Sequence, residues 1–196
     1  MSISNLISKL LGKNTPPMTP ITLPGLGPAE RLHLTFHCVV QAGEGRFSRM
    51  VFPGRAALGD EAKDWPVEPC PGSLNCKILT FPDNFNQLAG DGDRIEKLDH
   101  GIFVPEFSIP REAILNNRVG PHGPNDNPRM GIAQAWKCAV QNDDTGERFD
   151  AWHVRRIDGT YPVFHGTIEL MADRKLRASH QLNDNTPLTI TMYSKA

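Results

Sequence analysis

The chain has 196 residues, 39% hydrophobic and 22% charged, with 21 Lys plus Arg against 22 Asp plus Glu. That length suits one globular domain with tails, and a formal charge of −1 argues against general affinity for nucleic-acid phosphates. No uncharged apolar run approaches the roughly 20 residues of a membrane-spanning helix, and the N-terminus lacks a signal-type apolar core, so the expectation is a cytoplasmic protein without membrane contact.

Ile3, Leu6, Ile7, Leu10 and Leu11 recur at helical spacing between polar residues, which predicts a short amphipathic helix within 1–13 that Gly12 ends. Such a helix is marginal alone, so its apolar face needs a partner: a second copy of the chain, another protein, or its own domain. Pro16, Pro17, Pro20, Pro24 and Pro28 then make 14–30 an extended connector.

From residue 31 to the C-terminus the pattern is that of strands and turns, interrupted by an enlarged middle over about 82–130. Leu32, Leu34, Phe36, Cys38 and Val40 alternate with Arg31, His33, Thr35, His37 and Val39, the two-residue period of a strand. On that strand His33 and His37 stand about 13 Å apart, too far to share a metal ion. Further strands are predicted at 75–81, 101–107, 132–140, 151–156, 167–171 and 188–193. Residues 116–128 hold three prolines and two glycines and read as a long loop, and 142–147 reads as a hairpin turn with Gly146 at positive φ. Trp136, Trp152, Phe149 and Phe164 are predicted to fill a barrel core. The four cysteines, Cys38, Cys70, Cys76 and Cys138, form no Cys-x-x-Cys pair and read as reduced, mostly buried thiols.

Three stretches carry chemistry. Gly43-Glu44-Gly45-Arg46-Phe47 follows the first strand: its alternate glycines let backbone N–H groups approach an anion, and Arg46 supplies positive charge. Taken alone it also reads as a simple turn. Pro71-Gly72-Ser73-Leu74-Asn75 is a Pro-Gly turn that delivers Ser73 and Asn75 to one face of a starting strand, where two neutral oxygen donors suit Mg²⁺ and phosphate. The bland alternative is a turn cap. The third stretch, 166–185, reads as strand, short helix and turn before a final strand.

In this order the three stretches resemble the archaeal CTP-dependent riboflavin kinases over most of residues 31–194. The resemblance implies a mostly β, small riboflavin kinase-like cradle-loop barrel. It implies that Gly43, Glu44, Gly45, Arg46 and Phe47, with Lys77, contact a nucleotide, and that Ser73 and Asn75 hold Mg²⁺. Thr160-Tyr161, Ile168-Glu169-Leu170-Met171-Ala172, Leu176-Arg177 and Leu182-Asn183-Asp184 are similar to the family's C-terminal segments. Glu169 is thereby the expected catalytic carboxylate, with Thr160, Tyr161 and Arg177 on the substrate side. The chain departs from the pattern at Ala178 and Gly166, where the family carries acidic residues, and at Asn185, which replaces a turn glycine. The implied activity is phosphoryl transfer from CTP or another nucleoside triphosphate to a small-molecule hydroxyl, riboflavin being one candidate. The alternative is a non-catalytic barrel that binds a partner protein or small ligand.

If the N-terminal helix docks on a second copy, deleting residues 1–14 lowers the mass seen by light scattering and leaves the remaining domain folded. An unchanged mass contradicts self-association through this helix.

Overall fold

The computed structural model describes residues 31–43, 50–82, 85, 103–116, 132–157 and 166–195. The expected N-terminal helix and proline connector, most of the middle insertion, Glu44, Gly45, Arg46, Phe47, Thr160, Tyr161 and Phe164 lie outside the described residues. In chain order the strands are β1 (His33–Gln41), β2 (Met50–Val51), β3 (Leu74–Thr80), β4 (Phe107–Ile109), β5 (Leu115–Asn116), β6 (Ile132–Asn142), β7 (Arg148–Ile157), β8 (Thr167–Met171) and β9 (Pro187–Tyr193). A single turn of helix, α1 (Leu176–Ser179), precedes β9. No helix among the described residues is long and apolar enough to cross a membrane.

The main sheet runs β4-β6-β7-β8-β3-β1-β9, and β9 pairs back onto β6. Six strands therefore close an antiparallel barrel, with β4 as a seventh strand beside it. Closure is possible because β6 is 11 residues long. Its first residues pair with β4 (Ala133↔Ile109, Ala135↔Phe107), its later ones with β9 (Cys138↔Met192, Val140↔Ile190), and β7 runs along its other edge. The alternation read from the sequence holds in β1, whose even-numbered residues Leu34, Phe36, Cys38 and Val40 are buried while His33 and His37 are exposed.

The interior is filled by these residues together with Leu74, Cys76, Trp136, Cys138, Ile168, Leu170, Leu188 and Ile190. A second core lies on the outer side of β6 and β7, built from Phe52, Trp65, Phe107, Ile109, Ile114, Ala133, Ala135, Trp152, Val154 and Met171. Trp65 is central to it, edge-on to Phe107 and Trp152 at ring-centre distances of 5.4 and 5.2 Å, with its Nε1–H donated to the Pro53 carbonyl at 2.8 Å. An ion pair between Lys137 and Asp64 ties this flank to β6.

Two expectations are corrected. Trp152 belongs to the outer core, because its parity on β7 is opposite to that of the inward-facing Ala151 and His153. The strand expected over 101–107 is not formed at 103–106; β4 begins only at Phe107. Pro105 has no N–H to give a ladder, and the Val104 N–H is donated to the Ser194 hydroxyl at 2.9 Å. Gly146 has φ +73° as the hairpin requires, and Asn185 takes the left-handed conformation at φ +67°.

One end of the interior is polar. Gln134, His153 and Arg155 are buried there, with the Trp136 ring stacked on His153 at 5.7 Å and facing the Arg155 guanidinium at 5.5 Å. His153 Nδ1 lies 3.1 Å from the Glu169 carbonyl; a carbonyl only accepts, so Nδ1 carries the proton. Burial pulls the His153 imidazole down to about 3, and the Arg155 charge adds to this. Above the ordinary value of 6.5 the ring is neutral folded and unfolded. Below it the unfolded chain takes up a proton that the folded chain refuses, so stability falls with pH from 6.5 towards 3. Urea unfolding from neutral to about pH 4 should therefore show His153→Gln losing less stability than wild type, the difference approaching about 1.4 kcal/mol per pH unit. Parallel pH profiles would show that His153 is not held neutral.

Candidate functional site

At the opposite end of the barrel, β1 and β8 finish and β3 begins. Gly72 takes φ +100° in the Pro71-Gly72 turn, and the Cys70 N–H bonds the Ala172 carbonyl at 2.9 Å, which docks the turn beside the end of β8. β3 then starts with Leu74 buried inside the barrel and Asn75 half-buried outside.

Register brings the expected residues together. Gln41 pairs with Asn75 across β1 and β3, and Asn75 pairs with Glu169 across β3 and β8. Directly opposed residues in antiparallel strands have Cβ atoms about 5 Å apart. Gln41, Asn75 and Glu169 therefore form one row on the outer face, since Val40, Leu74, Cys76, Ile168 and Leu170 of the intervening parity fill the core. Lys77 is two residues farther along β3, exposed, between Val39 and Thr167. The Gln41 amide crosses β3 and donates from Nε2 to Thr167 Oγ1 at 3.2 Å.

Gly43, two residues beyond Gln41, packs against this row. A methyl group at Gly43 would overlap the side-chain amide of Asn75. A larger residue at 43 would fit only if that amide, the far end of the Asn75 side chain, turned aside. Two of the three motif stretches meet in this contact. Ser73 is half-buried immediately before β3. From α1, Arg177 Nη2 donates to the Gln41 carbonyl and to Asp184 Oδ1, each at 2.7 Å.

Ser73, Asn75 and Glu169 offer a hydroxyl, an amide oxygen and one carboxylate, hard donors of the kind Mg²⁺ takes beside phosphate oxygens. Among the described residues no group of three or more His, Cys, Asp and Glu side chains is placed to hold a metal ion. A cation here would accordingly rest on neutral oxygens, one carboxylate and its own ligand's charge. Thiolate chemistry is disfavoured at the three buried cysteines: burial pushes the Cys38 thiol up to about 12 and raises those of Cys76 and Cys138.

Gln41, a member of the row, and Thr167, which its amide reaches, were missed as site residues by sequence reasoning. The parity of Gln41 on β1 was visible, but its neighbours depend on register. No protein-family model matches the chain, and no curated protein matches it.

The Gly43 contact is testable by a double-mutant cycle. Gly43→Ala should cost about 0.5–1.5 kcal/mol in urea unfolding, as for one side chain pushed off its rotamer, and substantially less in an Asn75→Ala background that removes the amide it strikes. Additive costs would mean the two residues do not meet.

Proposed function

We propose that this chain is a riboflavin kinase-like phosphotransferase with a cradle-loop barrel, using Mg²⁺ and CTP or another nucleoside triphosphate to phosphorylate a small-molecule hydroxyl, with riboflavin the first acceptor to test. The observation that carries this reading is the meeting of Gly43 with Asn75, and of Asn75 with Glu169, at one barrel mouth.

In this reading the segment Gly43-Glu44-Gly45-Arg46-Phe47 cradles the nucleotide phosphates, and Ser73 and Asn75 hold Mg²⁺. Bound Mg²⁺ supplies neutralisation of phosphate charge. Lys77 is exposed on the adjoining outer surface, where a phosphate contact is sterically open. Glu169 orients the acceptor hydroxyl and takes its proton as the oxygen attacks the γ-phosphorus, the nucleoside diphosphate leaving with the bonding pair. Thr160 and Tyr161 contact the acceptor. The protein's contribution is mainly position and charge, which suits a row of side chains fixed by strand register.

Ala178 and Gly166 favour a second reading, a non-catalytic barrel that binds a partner protein or small ligand, because the acidic side chains expected there are absent.

Thermal unfolding with CTP, ATP or riboflavin, each with and without Mg²⁺, tests binding directly. Ligand at a hundred times its dissociation constant stabilises the fold by about 2.7 kcal/mol. CTP should raise the melting temperature only with Mg²⁺, and Asn75→Ala should abolish that rise with its own melting temperature nearly unchanged. No shift with either nucleotide contradicts the reading. So does an Asn75→Ala protein that loses about 1 kcal/mol of stability, as for a lost cap, and binds as wild type does.

A further inference from the structure

We infer that Arg177 is a positioning residue: its guanidinium fixes the end of β1, and with it the placing of Gly43 against Asn75. The ligand in this inference rests on the nucleotide reading; the geometry does not.

β9 accompanies β1 only as far as Val39↔Pro187. Beyond that pair residues 185 and 186 take over: the Val40 N–H bonds the Thr186 carbonyl at 3.0 Å and the Asn185 N–H bonds the Val40 carbonyl at 2.8 Å. At the next carbonyl, that of Gln41, Arg177 Nη2 is the donor. The same nitrogen is held by Asp184, one residue before Asn185, so the arginine ties the end of β1 to the turn that enters β9. A charge-assisted bond of 2.7 Å to a half-buried carbonyl is among the stronger contacts available there.

The base from which Arg177 reaches is stiff. Leu176 beside it is buried in the barrel core, and the Leu182 N–H bonds the Arg177 carbonyl at 2.9 Å. His180 caps the far side, stacked on Phe149 at 3.9 Å and 2.8 Å from Glu147. Gln41 is in turn pinned twice, by Arg177 through its carbonyl and by Thr167 through its amide. Gly43 follows two residues later, with the Asn75 side-chain amide packed against it. A small displacement of the Gln41 carbonyl therefore appears directly at Asn75.

The test uses the full chain, ¹⁵N-labelled, as wild type, R177M, R177K and D184N. The side-chain amide resonances of Asn75 and the backbone amide of Gly43 are followed in the free protein, then the dissociation constant for Mg²⁺·CTP and the KM of the acceptor are measured. R177M should shift both sets of resonances and weaken Mg²⁺·CTP by about tenfold or more with little change in acceptor KM. R177K should restore part of both, and D184N should fall between. Unmoved resonances overturn the inference, and an acceptor KM that rises alone assigns Arg177 to the substrate. Should wild type bind no CTP, the functional reading fails while the resonances still decide the role of Arg177. If R177M does not fold, the R177K and D184N resonances decide it.

Discussion

The pairing of β6 with β9 is the contact on which the rest of the structure depends. Without it the seven strands form an open sheet that leaves β9 and the second half of β6 as unpaired edges. With it the inward residues of six strands share one core and the ends become two mouths. One strand can do this because β6 changes partner along its length, leaving β4 before it meets β9. The composition of β6 permits it: small Ala133 and Ala135 face outward beneath the flanking core, and Trp136, Cys138 and Val140 face inward. A strand buried on both faces in this way needs a cover, and the flank around Trp65 supplies it.

Closure also determines where chemistry can sit. At the mouth where β1 ends and β3 begins, Leu176 and Leu182 pack into the core, so the barrel interior is occupied by protein. The polar row Gln41, Asn75 and Glu169 lies outside, on a surface whose spacing is set by backbone hydrogen bonds. Side chains on rigid strands hold their positions better than side chains on loops. The row also touches the other end of the barrel, since the Glu169 carbonyl accepts the His153 ring proton while the Glu169 side chain belongs to the row.

Much of the barrel was legible in the sequence. β1, β3 and β9 show the two-residue period, β8 was predicted with its observed bounds, and the chemistry of Gly146 and Asn185 marks turns that form as expected. β2, β4 and β5 escaped because strands of two or three residues are too short to show a period. The second core escaped for a related reason: where both faces are covered, alternation disappears, and Trp152 reads the same inside or out. Of the site, Gly43, Ser73 and Asn75 could be singled out by residue type, and Glu169 only through the resemblance. That Asn75 stands between Gln41 and Glu169 could not, because register arises from pairing between distant segments. The bond from Arg177 to a backbone carbonyl leaves no mark in sequence at all.

The central claim is that the Gly43, Ser73, Asn75 and Glu169 mouth receives a magnesium-bound nucleotide. The most direct measurement is a titration of the ¹⁵N-labelled protein with CTP in the presence of Mg²⁺, followed residue by residue. The account predicts saturable shifts at Gly43, Ser73, Asn75 and Glu169, weak or absent when Mg²⁺ is left out. Shifts confined to the far mouth around Gln134 and Arg155, or none at saturating nucleotide, would contradict it.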